Sequence, residues 1–278
     1  MKSIFDSVSK KTSKMVTGQY STSFSLGIHF LSRDFHEPIH GIYGFVRFAD
    51  EIVDSFHDYN KKELLAEFRR DTFLSIERGI SLNPILNSFQ KVVNTYKIER
   101  ELIDTFLDSM EMDLEKKEYS DEGYKKYILG SAEVVGLMCL RVFMEGDDTF
   151  YYELKPYAMG LGSAFQKINF LRDLNADYLG MGRIYFPKVN VLELNEETKL
   201  EIEKDIEADF DLGFSGIKKL PKKARLGVYV AYIYYRSLFN KIKKIEAEQL
   251  LAERIRIANS HKLVLLAGSY VRNSLNIL

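Results

Sequence analysis

Two stretches of this 278-residue chain carry carboxylates at helical spacing within otherwise apolar sequence. In the first, Tyr43, Arg47, Asp50 and Asp54 fall within about 60° of one another when wound at 100° per residue, with Asp58 a turn further on at the edge of the same stripe. Ile42, Phe45, Val46, Phe48, Ala49, Ile52 and Val53 cover the other faces, as on a buried helix. In the second, Gln166, Asn169, Asp173 and Asp177 form a ladder within roughly 80°, flanked by Leu161, Phe165, Ile168, Leu171 and Leu174. Burying an unpaired charge is costly, so such carboxylates need cations or hydrogen-bond donors nearby.

Two readings of these stripes are open. One is a pair of solvated helix faces, with an Arg47 to Asp50 ion pair worth a few tenths of a kcal/mol. The other is a metal site, because carboxylate and amide oxygens suit a hard cation such as magnesium rather than zinc. If the two helices face each other, carboxylates about 6 Å apart repel by about 3 kcal/mol at an effective dielectric near 20. Divalent cations offset that repulsion. Magnesium keeps coordination positions for water and phosphate, so the arrangement points to a diphosphate substrate. The recurrence of the pattern favours the metal site.

The elements that must position these stripes are helices. Prolines occur only at 38, 84, 156, 187 and 221, and apolar residues between them recur at helical spacing. An all-α fold is predicted, with helices near 14–32, 39–58, 61–79, 82–95, 98–113, 121–144, 150–179, 196–210, 213–219, 221–250 and 258–276. Ser120 reads as an N-cap ahead of Asp121 and Glu122. Pro156 and Pro221 are placed near helix starts. Gly180, Gly182 and Pro187 stop the long acidic helix and leave GMGRIYFP as a loop or short hairpin. No linker or repeat divides the chain, so one domain over 1–278 is expected.

Composition narrows the function. The 39 basic and 40 acidic residues cancel, which gives no global field for nucleic acid. Cys139 is the single cysteine, which excludes an internal disulfide or a cysteine-rich zinc site; it reads as a small buried hydrophobe. The N-terminal segment lacks an apolar signal core, and no segment approaches the roughly 20 apolar residues of a membrane span. A cytoplasmic protein is expected. The tail LVLLAGSYV at 263–271 suits either a buried terminal helix or peripheral contact with the inner face of the membrane. Nothing in the pattern specifies an oligomeric state.

The sequence resembles the squalene and phytoene synthase family over most of its length. DEIVD at 50–54 is similar to the family's first aspartate motif, and QKINFLRDLNADYLGMGRIYFP at 166–187 to its second. YSTSFSLGIHFL at 20–31 and YILGSAEVVG at 127–136 resemble two further family segments. Two positions depart: Ala132-Glu133 stands where the family commonly has Ala-Gly, and Thr22 where some members have a basic residue.

The resemblance implies an isoprenoid-synthase helical fold with a central cavity and a magnesium-dependent (or manganese-dependent) head-to-head condensation of two prenyl diphosphates. A cyclopropylcarbinyl diphosphate is formed and then rearranged. It implies metal binding by Asp50, Asp54, Asn169, Asp173 and Asp177, with Tyr43 and Arg47 also catalytic. Substrate contacts follow at Ser21, Phe24, Arg47, Tyr127, Gln166, Asn169, Arg172, Tyr235 and Arg256. Geranylgeranyl diphosphate giving phytoene, in carotenoid biosynthesis, is the expected reaction, with no NADPH. GLGSAF at 160–165 lies within a helix and is not a dinucleotide loop. The alternatives are a farnesyl diphosphate-using dehydrosqualene or squalene synthase, or a non-catalytic prenyl-lipid binder or assembly factor.

Overall fold

Ser21 divides what apolar periodicity reads as one helix over 14–32. The computed structural model describes residues 1–115, 118–176, 178, 182–187, 194–251, 255, 268–269 and 272; in it α1 runs Lys2–Tyr20 and α2 Thr22–His29. Ser21 is extended (φ −146°), and its hydroxyl accepts the Phe24 N–H at 3.1 Å. A serine-rich stretch supplies an N-cap inside an apolar run, and the local cap wins over periodicity.

Nine further α-helices follow among the described residues: α3 (Arg33–Asp54), α4 (Lys61–Arg78), α5 (Pro84–Tyr96), α6 (Arg100–Glu115), α7 (Asp121–Ile128), α8 (Val134–Met144), α9 (Asp148–Ala176), α10 (Glu196–Lys219) and α11 (Lys222–Ile242). A π-helical turn, Leu129–Glu133, joins α7 to α8. No strand occurs among the described residues, and the GRIYFP segment forms a single bridge, Ile184 with Glu118, rather than a hairpin. Ser120 caps α7 as its sequence predicts, accepting the Gly123 N–H at 3.1 Å.

Several boundaries differ from the sequence reading for identifiable reasons. The α9 helix begins two residues before the expected 150, with Asp147 accepting the Phe150 N–H, so Pro156 lies in its interior. The expected break near 211–213 is absent. A Cβ on Gly213 would sit 3.0 Å from Leu161, so this glycine serves the close approach of α10 to α9 rather than a helix end. The α11 helix stops at Ile242, short of 250, and a 3₁₀ turn follows at Ala247–Leu251. Most of the helix expected at 258–276 lies outside the described residues.

One apolar cluster joins α3, α4, α5, α6 and α8 around Phe45, whose ring stacks on Phe89 at 4.0 Å and leans on Phe106 at 5.3 Å. A second joins α9, α10 and α11 around Leu171, Phe210 and Phe239, and Val228 packs against both. By length and composition the continuous helical run Asp121–Met144 passes as a membrane span, against expectation, but 61% of its apolar window is buried within the protein. It is a core helix between α6 and α9.

Between α2, the first half of α3, α8, α9, α10 and α11 lies an apolar cavity of about 260 Å³. Glycines bring its walls together: a Cβ on Gly162 would meet the Ala132 carbonyl at 2.8 Å, and one on Gly227 the Gly27 carbonyl at 2.7 Å. Cys139 is part of this wall, and burial pushes its thiol up to about 12, consistent with an inert hydrophobe.

Candidate active site

The α3 helix presents Tyr43, Arg47, Asp50 and Asp54 on successive turns, and ends at Asp54 with Ser55 as C-cap. Asp58 therefore falls beyond the helix and off the stripe. Arg47 donates to Glu51 and stands 4.0 Å from Asp50, so its close partner is not the aspartate that its sequence spacing suggests. Its guanidinium also lies over the Tyr20 ring at 4.4 Å. Burial and the neighbouring Asp54 charge push the Asp50 carboxyl up to about 8, against the opposing pull of Arg47.

On α9, Arg172 grips Asp173 through Nε at 3.0 and 3.1 Å. The Asn169 amide lies 3.5 Å from Gln166 Oε1, and its carbonyl accepts the Tyr235 hydroxyl at 3.3 Å. Tyr235 stacks on Phe165 with centroids 4.0 Å apart. Across the cavity, Tyr43 stacks on Phe24 at 4.8 Å and hydrogen-bonds Ser21. Burial pushes its hydroxyl up to about 12, and Tyr235 lies within electrostatic reach of it. The start of α2, the middle of α3, the end of α9 and α11 thus converge, and Phe24, Phe165 and Gln166 open directly onto the cavity wall. Asp177 and Arg256 lie outside the described residues.

Tyr127 stands apart from the cavity lining. It is buried, donates to Asp113 Oδ2 at 2.7 Å, and packs among Tyr119, Phe170 and Tyr185. Burial pushes Asp113 up to about 6 although Arg183 and two tyrosine hydroxyls favour its charged form. Arg183, buried in the segment after the second ladder, donates to Asp54 at 2.8 Å, to the Asp113 carbonyl at 3.1 Å and to the Tyr185 hydroxyl at 3.3 Å. Asp113 and Arg183 were not singled out from sequence. A signal was present in each case: Asp113 interrupts the apolar stripe of Phe106 and Met110, and Arg183 is a lone cation between a glycine and apolar residues.

Arg183 links the first aspartate stripe to α6, and its removal leaves Asp113 buried without a cation. Arg183→Met is expected to lower unfolding free energy by about 3 kcal/mol, the cost of breaking a buried pair from one side. Adding Asp113→Asn to that variant should restore part of the loss. Urea denaturation of both variants checks this, and purely additive losses would refute the coupling.

The squalene/phytoene synthase family model matches residues 17–261. A 4,4'-diapophytoene synthase of Staphylococcus haemolyticus is 26% identical over 270 residues, covering 87% of this chain and 90% of that one. A presqualene diphosphate synthase of Rhodopseudomonas palustris is 32% identical over 172 residues, 60% of this chain and 58% of that protein. Among solved structures, a dehydrosqualene synthase in complex with ligand superposes with a TM-score of 0.81 over 96% of both chains at 20% identity. With two oxygen-rich helical ladders at one end of an apolar cavity, and a family match over most of its length, the chain belongs to the squalene/phytoene synthase family of head-to-head prenyltransferases.

Proposed function

We propose that this enzyme condenses two geranylgeranyl diphosphates to phytoene in carotenoid biosynthesis. The observation that carries the reading is the depth of the cavity. Its lining on α9 runs from Gln166, beside the polar ladder, to Leu154. Those positions (166 − 154) span about 18 Å at 1.5 Å per helical residue. An extended chain advances about 1.2 Å per bond, so this depth accommodates about 15 bonds, the main chain of a C20 prenyl group. A C15 group, with about 11 bonds, leaves the far end between Leu154, Phe143 and Leu220 unfilled.

Donor chemistry supports magnesium: the candidate ligands all offer oxygen, and burial together with the Asp54 charge disfavours the Asp50 carboxylate in a way that a bound cation would offset, although no three acidic or histidine side chains among the described residues stand together as a ready-made site. Asp50, Asp54, Asn169 and Asp173 would hold the ions, with Asp177 added by its place in the motif. When bound, magnesium supplies charge neutralisation for the departing diphosphate. Arg47 and Arg172, now paired with Glu51 and Asp173, are at hand to hold diphosphate oxygens, for which guanidinium is well shaped. Phe24, Tyr43, Phe165 and Tyr235 offer ring faces to the allylic cation, and the apolar wall keeps water from trapping it. The reading ends in proton loss, so it needs no NADPH.

Incubating the full chain with magnesium and either C15 or C20 diphosphate, without NADPH, tests this. Phytoene from the C20 substrate, identified by mass, is the expected result. A strong preference for C15 would replace the proposed substrate, and no hydrocarbon from either would overturn the catalytic reading.

A further inference from the structure

The outward face of α1 carries apolar side chains that the fold leaves uncovered. Ile4, Val8 and Met15 are 67%, 50% and 60% exposed. They fall within about 40° of one another on the helix, away from the side on which Ser9, Ser13, Val16 and Thr17 are buried. Lys11 lies at the edge of the same stripe. Lys11 and Lys14 are exposed, and neither has an acidic partner among the described residues, whereas Lys2 pairs with Asp6 and Lys10 with Glu37. Asp6 is the helix's sole acid.

We propose that this face docks the enzyme on an anionic lipid bilayer, with α1 lying in the interface, Ile4, Val8 and Met15 entering the acyl boundary, and Lys11 and Lys14 on lipid phosphates. An apolar stripe edged by uncompensated lysines is the pattern of an interfacial helix. A second copy is a poorer occupant, because a two-fold contact through the stripe would bring the same lysines toward each other. The position also suits the chemistry. Through Ser21, α1 leads directly into α2, whose Phe24, Gly27 and Ile28, with Leu31 just beyond its end, wall the cavity, so docking sets that wall beside the phase in which prenyl chains and hydrocarbon products dissolve. The inference needs the family's prenyl substrates but not the choice of C20 over C15.

Co-sedimentation of the full chain with phosphatidylglycerol vesicles, compared with phosphatidylcholine vesicles and performed without substrate, tests it independently of turnover. Binding to the anionic vesicles that weakens with added salt is expected. The double variant Ile4→Glu/Met15→Glu should bind about tenfold more weakly, as should Lys11→Glu/Lys14→Glu, with circular dichroism and turnover in detergent micelles unchanged in both. No sedimentation of the wild type, equal binding by either variant, or indifference to lipid charge overturns the assignment. So does a concentration-dependent dimer in gel filtration that Ile4→Glu/Met15→Glu abolishes.

Discussion

Asp50→Asn is expected to lower turnover by about 10³-fold while making the metal-free protein more stable. The two effects have one cause. The folded protein holds the Asp50 carboxyl at about 8, above the ordinary 3.8, because burial and Asp54 disfavour its charge. The native state therefore binds this proton more tightly than the unfolded chain does. The associated stability is complete below about pH 4 and is lost as pH rises toward 8. Asparagine has no charge to bury, so the variant escapes that loss. With solvent still reaching the carboxylate, the gain at pH 7 is on the order of 1–2 kcal/mol, or about 2–5 °C in melting temperature. It should vanish below pH 4. Magnesium should raise the melting temperature of the wild type more than that of the variant. Thermal melts with and without magnesium, paired with a diphosphate-release assay, check both halves. Wild-type turnover in the variant would remove Asp50 from the proposed metal site, and a lower melting temperature in the absence of metal would contradict the electrostatic account.

Ala158→Phe is expected to convert the enzyme to shorter substrates. Ala158 lines the cavity and lies eight positions (166 − 158) from Gln166, about 12 Å along α9. A phenyl ring there closes about the far third and leaves about the length of a C15 chain. Turnover with geranylgeranyl diphosphate should fall by about 100-fold and turnover with farnesyl diphosphate should be retained, because the obstruction lies beyond the shorter chain. Competition between the two substrates, with hydrocarbons resolved by mass, gives the ratio directly. Equal losses on both would mean that the cavity along α9 does not measure chain length.

What the sequence made legible were patterns that repeat within one helix. The ladders on α3 and α9 depend only on spacing, and so does the cap at Ser120. Features set by contact between distant segments were not readable in the same way. Gly213 has the look of a helix end but serves the seat of α10 on Leu161. Arg47 has Asp50 and Glu51 both within helical reach, and side-chain geometry selects Glu51. Asp113 and Arg183 acquire meaning only when α6 and the 182–187 segment meet beneath α3. The break at Ser21 was a local signal, outweighed in the sequence reading by the apolar run around it.

The bond from Arg183 to Asp54 spans 129 positions of chain. During synthesis, α3 and α6 emerge long before the cation that neutralises their acids, and two-thirds of the protein must be made before it arrives. Until then Asp50, Asp54 and Asp113 repel one another, which works against early closure of that end of the bundle. The aromatic core around Phe45 draws on helices that are all available earlier. Assembly is thereby ordered: the aromatic core around Phe45 can form first, and the acidic cluster of α3 and α6 is neutralised only once the distal arginine has been made.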